Sequence, residues 1–360
     1  MRAAYTLDEE RRMILVSNLT YFTPELYATT AIHLCNVFGW ESAALHNFMN
    51  DKGKKTSINV QVAVTERSIE RRVHSVAADA TFLCQGRHSL FTTEAPIDTY
   101  NACALSADAC YLYVTGRNSV HMFDASSGAY RRSFGSSMNG GEFIRPCGIY
   151  ASDAGELYVC ESGIGNQRVH VLNAFTGTFV RELKLDSSSF ILPFPISVVV
   201  SRQLVYVCDW SRNQVFVFNE SNGTYLHSFG FRGTNDGQFT HCVDVAASSI
   251  TGHIYVLDGE VNGRRVQVFD QHGQFQRVIY RQKRGDMIGQ VRRICISATD
   301  VVYLSDYNCY IHAIDPSDKH ISTFNTSSSM VRPLNITCTR DGRLFVLNDY
   351  TYTDRLDVFE

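Results

Sequence analysis

One hairpin pattern recurs along the chain and constrains its fold more than any other feature. Its clearest copy is YVCESGIGNQRVHVLN at 158–173, where a short apolar run, a turn and a strand of alternating polar and apolar residues follow one another. Six copies begin at Tyr113, Tyr158, Tyr206, Tyr255, Tyr303 and Phe345. Successive copies are therefore 45, 48, 49, 48 and 42 residues apart. A nearly fixed period of this size indicates a repeat architecture rather than a single isolated site.

Each copy of the hairpin lies within a unit of four predicted strands. A short apolar run opened by proline precedes it, as in RPCGIYASDAG at 145–155 and RPLNITCTRDG at 332–342. A turn with glycine and a further strand follow it, as in GTFVREL at 177–183. Four antiparallel strands in about 45 residues are the content of one β-propeller blade. The sequence therefore predicts an all-β fold, a six-bladed β-propeller with four-stranded antiparallel blades over residues 100–360.

The order of residues within these units resembles the NHL repeat. That order is F-x-x-P-x-G-I, a turn, Y-V, an acidic residue, Asn-x-Arg-Val-x-Val and Gly-x-Phe, and residues 143–179 follow it most closely. The resemblance spans about 100–360 and implies six NHL-like repeats. The departures are Cys242 and Ile294 at the proline position, and Gly116 and Asn348 at the acidic position.

Residues 56–99 are predicted to be a connecting segment that supplies a ring-closing strand. The sixth unit contains only three predicted strands, the last of them LDVFE at 356–360, which would leave one sheet edge unpaired. The candidates for the missing strand are TSINVQVAV at 56–64 and TFLCQGRHSLFTT at 81–93. We favour the second because it lies nearer the first repeat.

Residues 1–55 are predicted to be a short α-helical N-terminal extension. TLDE at 6–9 has the spacing of a capping box, and Thr23-Pro24 fits an N-cap followed by proline at the first helical position. Residues 41–51 also carry apolar residues at helical spacing. Three short helices bury little surface alone, so we expect them to dock on the propeller or on a partner. The paired Cys/His ligands of RING and B-box modules, which precede NHL propellers in ubiquitin ligases, do not occur in this sequence.

Charge and cysteine content predict a cytoplasmic location, either in the cytoskeleton or in another intracellular assembly. The net charge is −3, which gives no global basic field toward nucleic acid or membrane. The segment MRAAYTLDEERRM has charges where a signal peptide needs an apolar core, and no stretch approaches the roughly 20 apolar residues of a membrane span. The 11 cysteines include no C-x-x-C motif, which favours buried free thiols in a reducing compartment.

The sequence offers little support for catalysis. It contains no P-loop, G-x-S-x-G or H-E-x-x-H motif. Lyases with NHL-like propellers hold zinc with several channel histidines, whereas here only His241 begins a predicted innermost strand, and a zinc site needs three protein ligands. We therefore expect no catalytic residue, no metal and no cofactor. A metal-dependent lyase or hydrolase stays as the least favoured alternative.

A partial ring of acidic residues follows the second strands. Its members are Glu161, Asp209, Asp258 and Asp306. Carboxylates in a ring are suitable calcium ligands. A structural role is the preferred interpretation, because a carboxylate at a turn accepts backbone N–H bonds or pairs with an arginine of its own unit.

Arginines at equivalent positions of several units predict a binding face. One group precedes the innermost strands, and another lies on the loops between second and third strands, which reach the same face of a propeller. The predicted binding residues are Arg117, Arg145, Arg212, Arg292, Arg293 and Arg332. Converging guanidinium groups attract phosphate or carboxylate. The alternative is that each arginine pairs with an acidic residue of a neighbouring blade.

The function most consistent with this sequence is a non-enzymatic scaffold or adaptor. Its propeller face would bind a protein partner within a multi-subunit assembly, and the N-terminal segment would supply a second contact. The alternative is binding of single-stranded RNA through the arginine-bearing face, as some NHL propellers do. Neither a membrane nor a small-molecule substrate is expected.

Overall fold

The computed structural model describes most of the repeat region and parts of the segment before it. The described residues are 4–8, 13–17, 61–63, 87–89, 101–135, 143–163, 165, 167–183, 194–259, 263–282, 288, 290–325, 332–340, 342–349 and 355–359. All secondary structure among them is β-strand. The chain divides into two compact units, Met1–Ala78 and Asp79–Glu360.

The smaller unit contains a three-stranded antiparallel sheet formed by β1 (Ala4–Asp8), β2 (Met13–Ser17) and β3 (Gln61–Ala63). The helix predicted from the capping-box spacing of TLDE is therefore wrong. The reason lies in the register of the hairpin, which pairs Tyr5 with Val16 and Leu7 with Ile14. Val16 and Ile14 are β-branched, and β-branched residues have a lower helix propensity and a higher strand propensity.

The two other helices predicted within 1–55, one beginning at Thr23-Pro24 and one over 41–51, lie outside the described residues.

The larger unit contains strand β4 (Arg87–Ser89) and five antiparallel sheets, each built from four consecutive strands. The first sheet comprises β5 (Ala102–Leu105), β6 (Tyr111–Thr115), β7 (Val120–Asp124) and β8 (Tyr130–Phe134). The second comprises β9 (Pro146–Ala151), β10 (Glu156–Glu161), β11 (Arg168–Asn173) and β12 (Phe179–Leu183). The third comprises β13 (Pro195–Ser201), β14 (Leu204–Asp209), β15 (Gln214–Asn219) and β16 (Tyr225–Phe229).

The fourth and fifth sheets repeat this arrangement. The fourth comprises β17 (Cys242–Ala247), β18 (Ile254–Asp258), β19 (Arg265–Phe269) and β20 (Phe275–Arg281). The fifth comprises β21 (Val291–Ile296), β22 (Val302–Asp306), β23 (Tyr310–Ile314) and β24 (His320–Asn325).

A further four-stranded sheet combines the end of the chain with the upstream strand. Its strands are β25 (Arg332–Cys338), β26 (Leu344–Asp349) and β27 (Arg355–Phe359), followed by β4. In the register of the last pair, Phe359 lies opposite Arg87 and Asp357 lies opposite Ser89. The strand that covers the edge of β27 thus comes from within segment 81–93.

The first strands of the sheets lie side by side around a common centre. They contact one another in the cyclic order β5, β9, β13, β17, β21, β25 and back to β5. Second and third strands are sandwiched between neighbouring sheets, so both of their faces are buried. In β10, for example, Leu157, Tyr158, Val159 and Cys160 are all buried, which explains the continuous apolar runs of the hairpin pattern. The fold is a β-propeller with four-stranded antiparallel blades.

Glycines in the turns between third and fourth strands let neighbouring sheets pack closely. Gly177 has a φ of 73°, and a Cβ at this position would collide with the ring of Phe134 in the preceding sheet. Gly273 has a φ of 81° and meets Phe229 in the same way. A residue with a side chain would be strained by this backbone conformation and would also displace the ring. The Gly-x-Phe element of the repeat is thus a contact between sheets.

Candidate functional site

The acidic residues that close the second strands fix the loops at one end of the propeller. The Asp209 carboxylate accepts a hydrogen bond of 2.9 Å from the backbone N–H of Phe194, in the segment leading into β13. Asp258 accepts bonds of 2.8 and 3.1 Å from the N–H groups of Thr240 and His241, and Glu161 accepts one from Ile144. In these three sheets a carboxylate therefore joins the end of the second strand to the segment entering the first, whereas Asp306 accepts N–H groups of the loop that follows it, from Asn308 and Tyr310. These bonds provide the structural role that the sequence favoured over a calcium ring.

Three of these carboxylates also face a basic residue of the third strand. The separations are 2.9 Å from Asp258 Oδ2 to Arg265 Nε, 3.0 Å from Asp306 Oδ2 to His312 Nε2, and 3.3 Å from Glu161 Oε2 to His170 Nε2. Burial raises the pKa of Asp258, and the hydrogen bond from Arg265 opposes that rise. Within the described ranges, no group of three or more His, Cys, Asp or Glu side chains is arranged to hold a metal ion.

A second polar cluster joins the first strands at the centre of the propeller. Ser197 of β13 donates a hydrogen bond of 2.6 Å to Asp244 Oδ1 of β17, and the N–H of Ile294 in β21 donates one of 3.0 Å to Asp244 Oδ2. Burial raises the pKa of Asp244, and the positive charge of Arg293 opposes the rise. One buried carboxylate thus connects three neighbouring sheets.

The loops between second and third strands lie beside the segments that enter the first strands. The N–H of Trp210 bonds to the carbonyl of Phe194 at 3.0 Å, and the N–H of Ser162 bonds to that of Arg145 at 3.1 Å. Equivalent bonds run from Gly259 to His241 and from Tyr307 to Gln290. We call the surface formed by these loops and entering segments the upper face.

The predicted binding arginines belong to this face but do not form one cluster. Arg117, Arg145 and Arg212 are exposed, each on a different sheet. Arg292 and Arg293 are half-buried on β21, and Arg293 Nη1 donates a hydrogen bond of 3.0 Å to the Arg292 carbonyl. The last of the set, Arg332, begins β25, and its side chain lies outside the described residues. Among the predicted arginines whose side chains the structure describes, only Arg292 and Arg293 share a strand, in which they are consecutive residues.

Two residues that the sequence analysis missed lie beside Arg292. The guanidinium carbon of Arg292 is 5.0 Å from the centroid of the Tyr307 ring, and that of Arg264 is 5.9 Å from the same centroid. Arg264 is only 8% exposed. The sequence signal for Arg264 was its position next to Arg265 at the start of a third strand. Because adjacent side chains of a strand point to opposite faces, the two arginines cannot both lie on the same face of the sheet.

An aromatic cluster on the upper face was also missed. Trp210 is 44% exposed and stacks on His241, with 4.9 Å between ring centroids and 24° between ring planes. Phe194 lies 5.7 Å from Trp210 on another side. Ile144, which is 52% exposed, adds an apolar side chain on the neighbouring sheet. The signal was a tryptophan directly after the acidic residue of its unit, where the other units carry smaller or more polar residues.

A disulfide joins the third and fourth sheets below this cluster. It links Cys208 of β14 to Cys242 of β17, with 5.8 Å between their Cα atoms. The expectation that the cysteines are free thiols is therefore wrong for this pair. The reason is that Cys242 replaces the proline of the repeat and so faces the second strand of the preceding sheet. The thiols of Cys103, Cys110, Cys147, Cys160, Cys295 and Cys338 are free.

These features define the chain as a β-propeller protein with a loop-built upper face. No family model and no curated protein matches it. Among solved structures it is similar to hydrazine synthase of Kuenenia stuttgartiensis, with a TM-score of 0.53 and 12% identity over 74% of this chain and 98% of that chain. It is also similar to a chain of the nidogen/laminin complex, with a TM-score of 0.50 and 16% identity over 64% of this chain and 81% of that chain. At such identities the likeness shows the fold alone.

Among the residues that the structure describes, there is no helix whose length and hydropathy would allow it to cross a bilayer.

Proposed function

We propose that this chain is a non-enzymatic scaffold that binds a protein partner through its upper face. The observation that carries this proposal is the exposed Trp210, held by its stack on His241 on the same face as Arg212 and Ile144. Tryptophan and arginine dominate the binding energy of protein interfaces. A tryptophan fixed in one orientation before binding loses little conformational entropy when a partner covers it.

The scaffold is proposed to be a six-bladed propeller of the NHL type. The cyclic contacts of the first strands and the glycine-to-phenylalanine packing between sheets support six blades over 100–360. Pairing of β27 with β4 supports closure by the connecting segment 56–99. Residues 1–55 are proposed to add a second contact with the assembly.

A non-enzymatic role is supported by the uses of the titratable side chains. Glu161, Asp258 and Asp306 hold loops and pair with third-strand residues. Burial raises the pKa of Cys103 to about 12, so its thiol is protonated near neutral pH. These groups therefore serve folding rather than acid–base or nucleophilic chemistry.

Single-stranded RNA is the second candidate ligand of the upper face. The exposed ring of Trp210 is a suitable platform for a nucleic acid base, and Arg212 follows it by two residues. The net charge of −3 weighs against this function, because a long polyanion is repelled by an acidic protein.

The scaffold proposal is tested by affinity capture from native lysate, with half of each sample treated with nuclease. We expect Trp210→Ala to lose proteins that the wild type retains after nuclease treatment. The matched control is Ile250→Ala, since Ile250 is 59% exposed in the turn between β17 and β18, at the opposite end of the sheet. Capture that depends on intact RNA, or that ignores Trp210, would contradict the proposal.

The cytoplasmic location stays a prediction. The disulfide between Cys208 and Cys242 argues for an oxidising compartment, because disulfides are rare where thioredoxin and glutathione act.

A further inference from the structure

The disulfide between Cys208 and Cys242 lies next to both rings of the aromatic stack on the upper face. Trp210 follows Cys208 by two residues, and His241 directly precedes Cys242. The stack joins the end of the second strand of the third sheet to the start of the first strand of the fourth. The disulfide is therefore a covalent link between the two chain segments that carry the stacked rings.

Two neighbouring junctions between sheets have no such bond. The residue before the last residue of the second strand is Cys160 in the second sheet and Leu257 in the fourth. The residue that occupies the position of Cys242 in the next sheet is Pro195 and Val291, respectively. Cys160 is a free thiol, and Leu257 and Val291 belong to one apolar cluster. Sheets of this chain thus pack together without a covalent bond, so we expect the fold to survive without the disulfide.

Hydrogen bonds fix the backbone of each stacked residue to its own sheet. The N–H of Trp210 bonds to the carbonyl of Phe194, in the segment entering the third sheet. The N–H of His241 bonds to Asp258 of the fourth sheet. Neither bond crosses the boundary between the two sheets. The spacing of the two rings therefore depends on packing across that boundary and on the disulfide.

We propose that oxidation of Cys208 and Cys242 sets the partner affinity of the upper face. In the oxidised chain the disulfide holds Trp210 against His241, whereas the reduced chain keeps its fold and lets the two rings separate. This regulation rests on the proposed scaffold function, because it acts on the same exposed tryptophan. A side chain that is ordered before binding loses less conformational entropy when a partner covers it.

Formation of the bond is a two-electron oxidation of two thiols. Both S–H bonds break, one S–S bond forms and two protons are released, while the two electrons reduce a small-molecule or protein disulfide to two thiols. Cys208 and Cys242 are fully buried in the folded chain. Because exchange requires a thiolate to reach one of the sulfur atoms, the redox state is set while the third and fourth sheets assemble and then persists.

The test follows the fluorescence of Trp210 in a Trp40→Phe background, since these are the two tryptophans of the sequence. Cys242→Pro removes the disulfide and copies the cysteine–proline pair of the preceding junction. Acrylamide quenching of Trp210 should rise in this variant toward the value of His241→Ala, in which the stack is lost. Wild type refolded with a dithiol should match Cys242→Pro, whereas wild type refolded with glutathione disulfide should keep the lower quenching.

Two further variants keep this test interpretable. The double variant Cys208→Leu, Cys242→Val copies the apolar pair of the following junction and supplies a second chain without the disulfide, should Cys242→Pro not fold. Cys110→Ser is the matched control, because Cys110 is an exposed free thiol outside this junction. It should leave the quenching of Trp210 unchanged under both refolding conditions.

Partner capture from native lysate gives the second readout. Retention should fall about two- to tenfold in Cys242→Pro, the range expected for ordering one side chain on binding. Higher quenching with weaker Trp210-dependent capture and an unchanged circular dichroism spectrum supports the redox control. Quenching that is the same with and without the disulfide, or Trp210-dependent capture that Cys242→Pro leaves intact, overturns it while the scaffold function stands. Capture that ignores Trp210 overturns the scaffold function, and the effect on affinity with it.

Discussion

The hydroxyl of Ser197 donates a hydrogen bond of 2.6 Å to the buried carboxylate of Asp244 on the next sheet. The same carboxylate accepts the N–H of Ile294 from the sheet beyond. This arrangement replaces an apolar contact at the centre of the propeller with a polar bridge across three sheets. Low dielectric at the centre strengthens these bonds and makes the loss of either partner costly.

Asp244→Ala is expected to lower the free energy of unfolding by about 2 to 4 kcal/mol, because it leaves the Ser197 hydroxyl and the Ile294 N–H buried without acceptors. Ser197→Ala is the control and should cost about 1 kcal/mol, since the carboxylate keeps its bond from Ile294. Urea unfolding followed by circular dichroism measures both. Equal losses in the two variants would contradict a central role for the carboxylate.

Asp244 also predicts a pH dependence of stability. Burial raises its pKa in the folded protein above the ordinary 3.8, so the folded state holds this proton more tightly than the unfolded state. The contribution of Asp244 to stability is therefore greatest below the ordinary pKa and declines as pH rises through the raised one. Relative to Asp244→Asn, which does not titrate, the wild type should lose stability as the pH rises from 3.8 through the raised pKa of Asp244. A difference that stays constant over this range would refute the expectation.

The disulfide between Cys208 and Cys242 closes a loop over a sequence separation of 34, which predicts a stabilisation of about 3 to 4 kcal/mol. Reductant should lower the denaturation midpoint of the wild type by a corresponding amount. It should leave the Cys208→Ser, Cys242→Ser double variant unchanged. Thiol titration of the unfolded, non-reduced protein gives an independent check, and a count of eleven free thiols would exclude the bond.

Gly177→Ala is expected to destabilise the protein more than Gly155→Ala. Both glycines have positive φ, 73° and 75°, so each substitution carries a backbone cost of about 1 kcal/mol. Only at Gly177 does the new Cβ collide with a buried ring, that of Phe134, which should add roughly 2 kcal/mol. The difference between the melting temperatures of the two variants measures the cost of the collision apart from the backbone cost that they share. Equal melting temperatures would mean that the contact between sheets is easily relaxed.

Removal of residues 1–99 is expected to cause aggregation, because it deletes β4 and exposes the edge of β27. Removal of residues 1–78, which ends at the boundary of the smaller unit, keeps β4 and should leave the propeller folded. Light scattering and cooperative unfolding of the two truncated proteins test this difference. A monomeric, cooperatively folded protein without residues 1–99 would show that β4 is dispensable.

The repeat units were predictable because each one carries its own strand and turn pattern within about 45 residues. The pairing of the last strand, β27, with a strand from segment 81–93 was also predictable, because the last unit has only three strands of its own and would otherwise leave an open edge. The hairpin of Ala4–Asp8 and Met13–Ser17 was not predicted. The capping-box spacing of TLDE indicated a helix, and the β-branched residues Ile14 and Val16, which favour a strand, were given less weight.

The candidate site was less predictable because its contacts run between units. The disulfide joins the second strand of one repeat to the first strand of the next, and the Tyr307 ring contacts arginines from two sheets. A repeat pattern aligns equivalent positions but does not indicate which of them meet across a sheet boundary. The arginines that the sequence predicted as one binding face are therefore spread over several sheets.

The pairing of Arg87–Ser89 with Arg355–Phe359 imposes an order on biosynthesis. At translation rates of about 5 to 20 residues per second, β4 waits roughly 15 to 50 seconds for its partner strand to leave the ribosome. Throughout that time the nascent domain is an open arc with two unpaired edges, and a prematurely terminated chain stays in that state. Because β4 pairs with β27, the propeller closes only after β27 has been synthesised, and chaperones and proteases can distinguish a chain that stops before β27 from one that contains it.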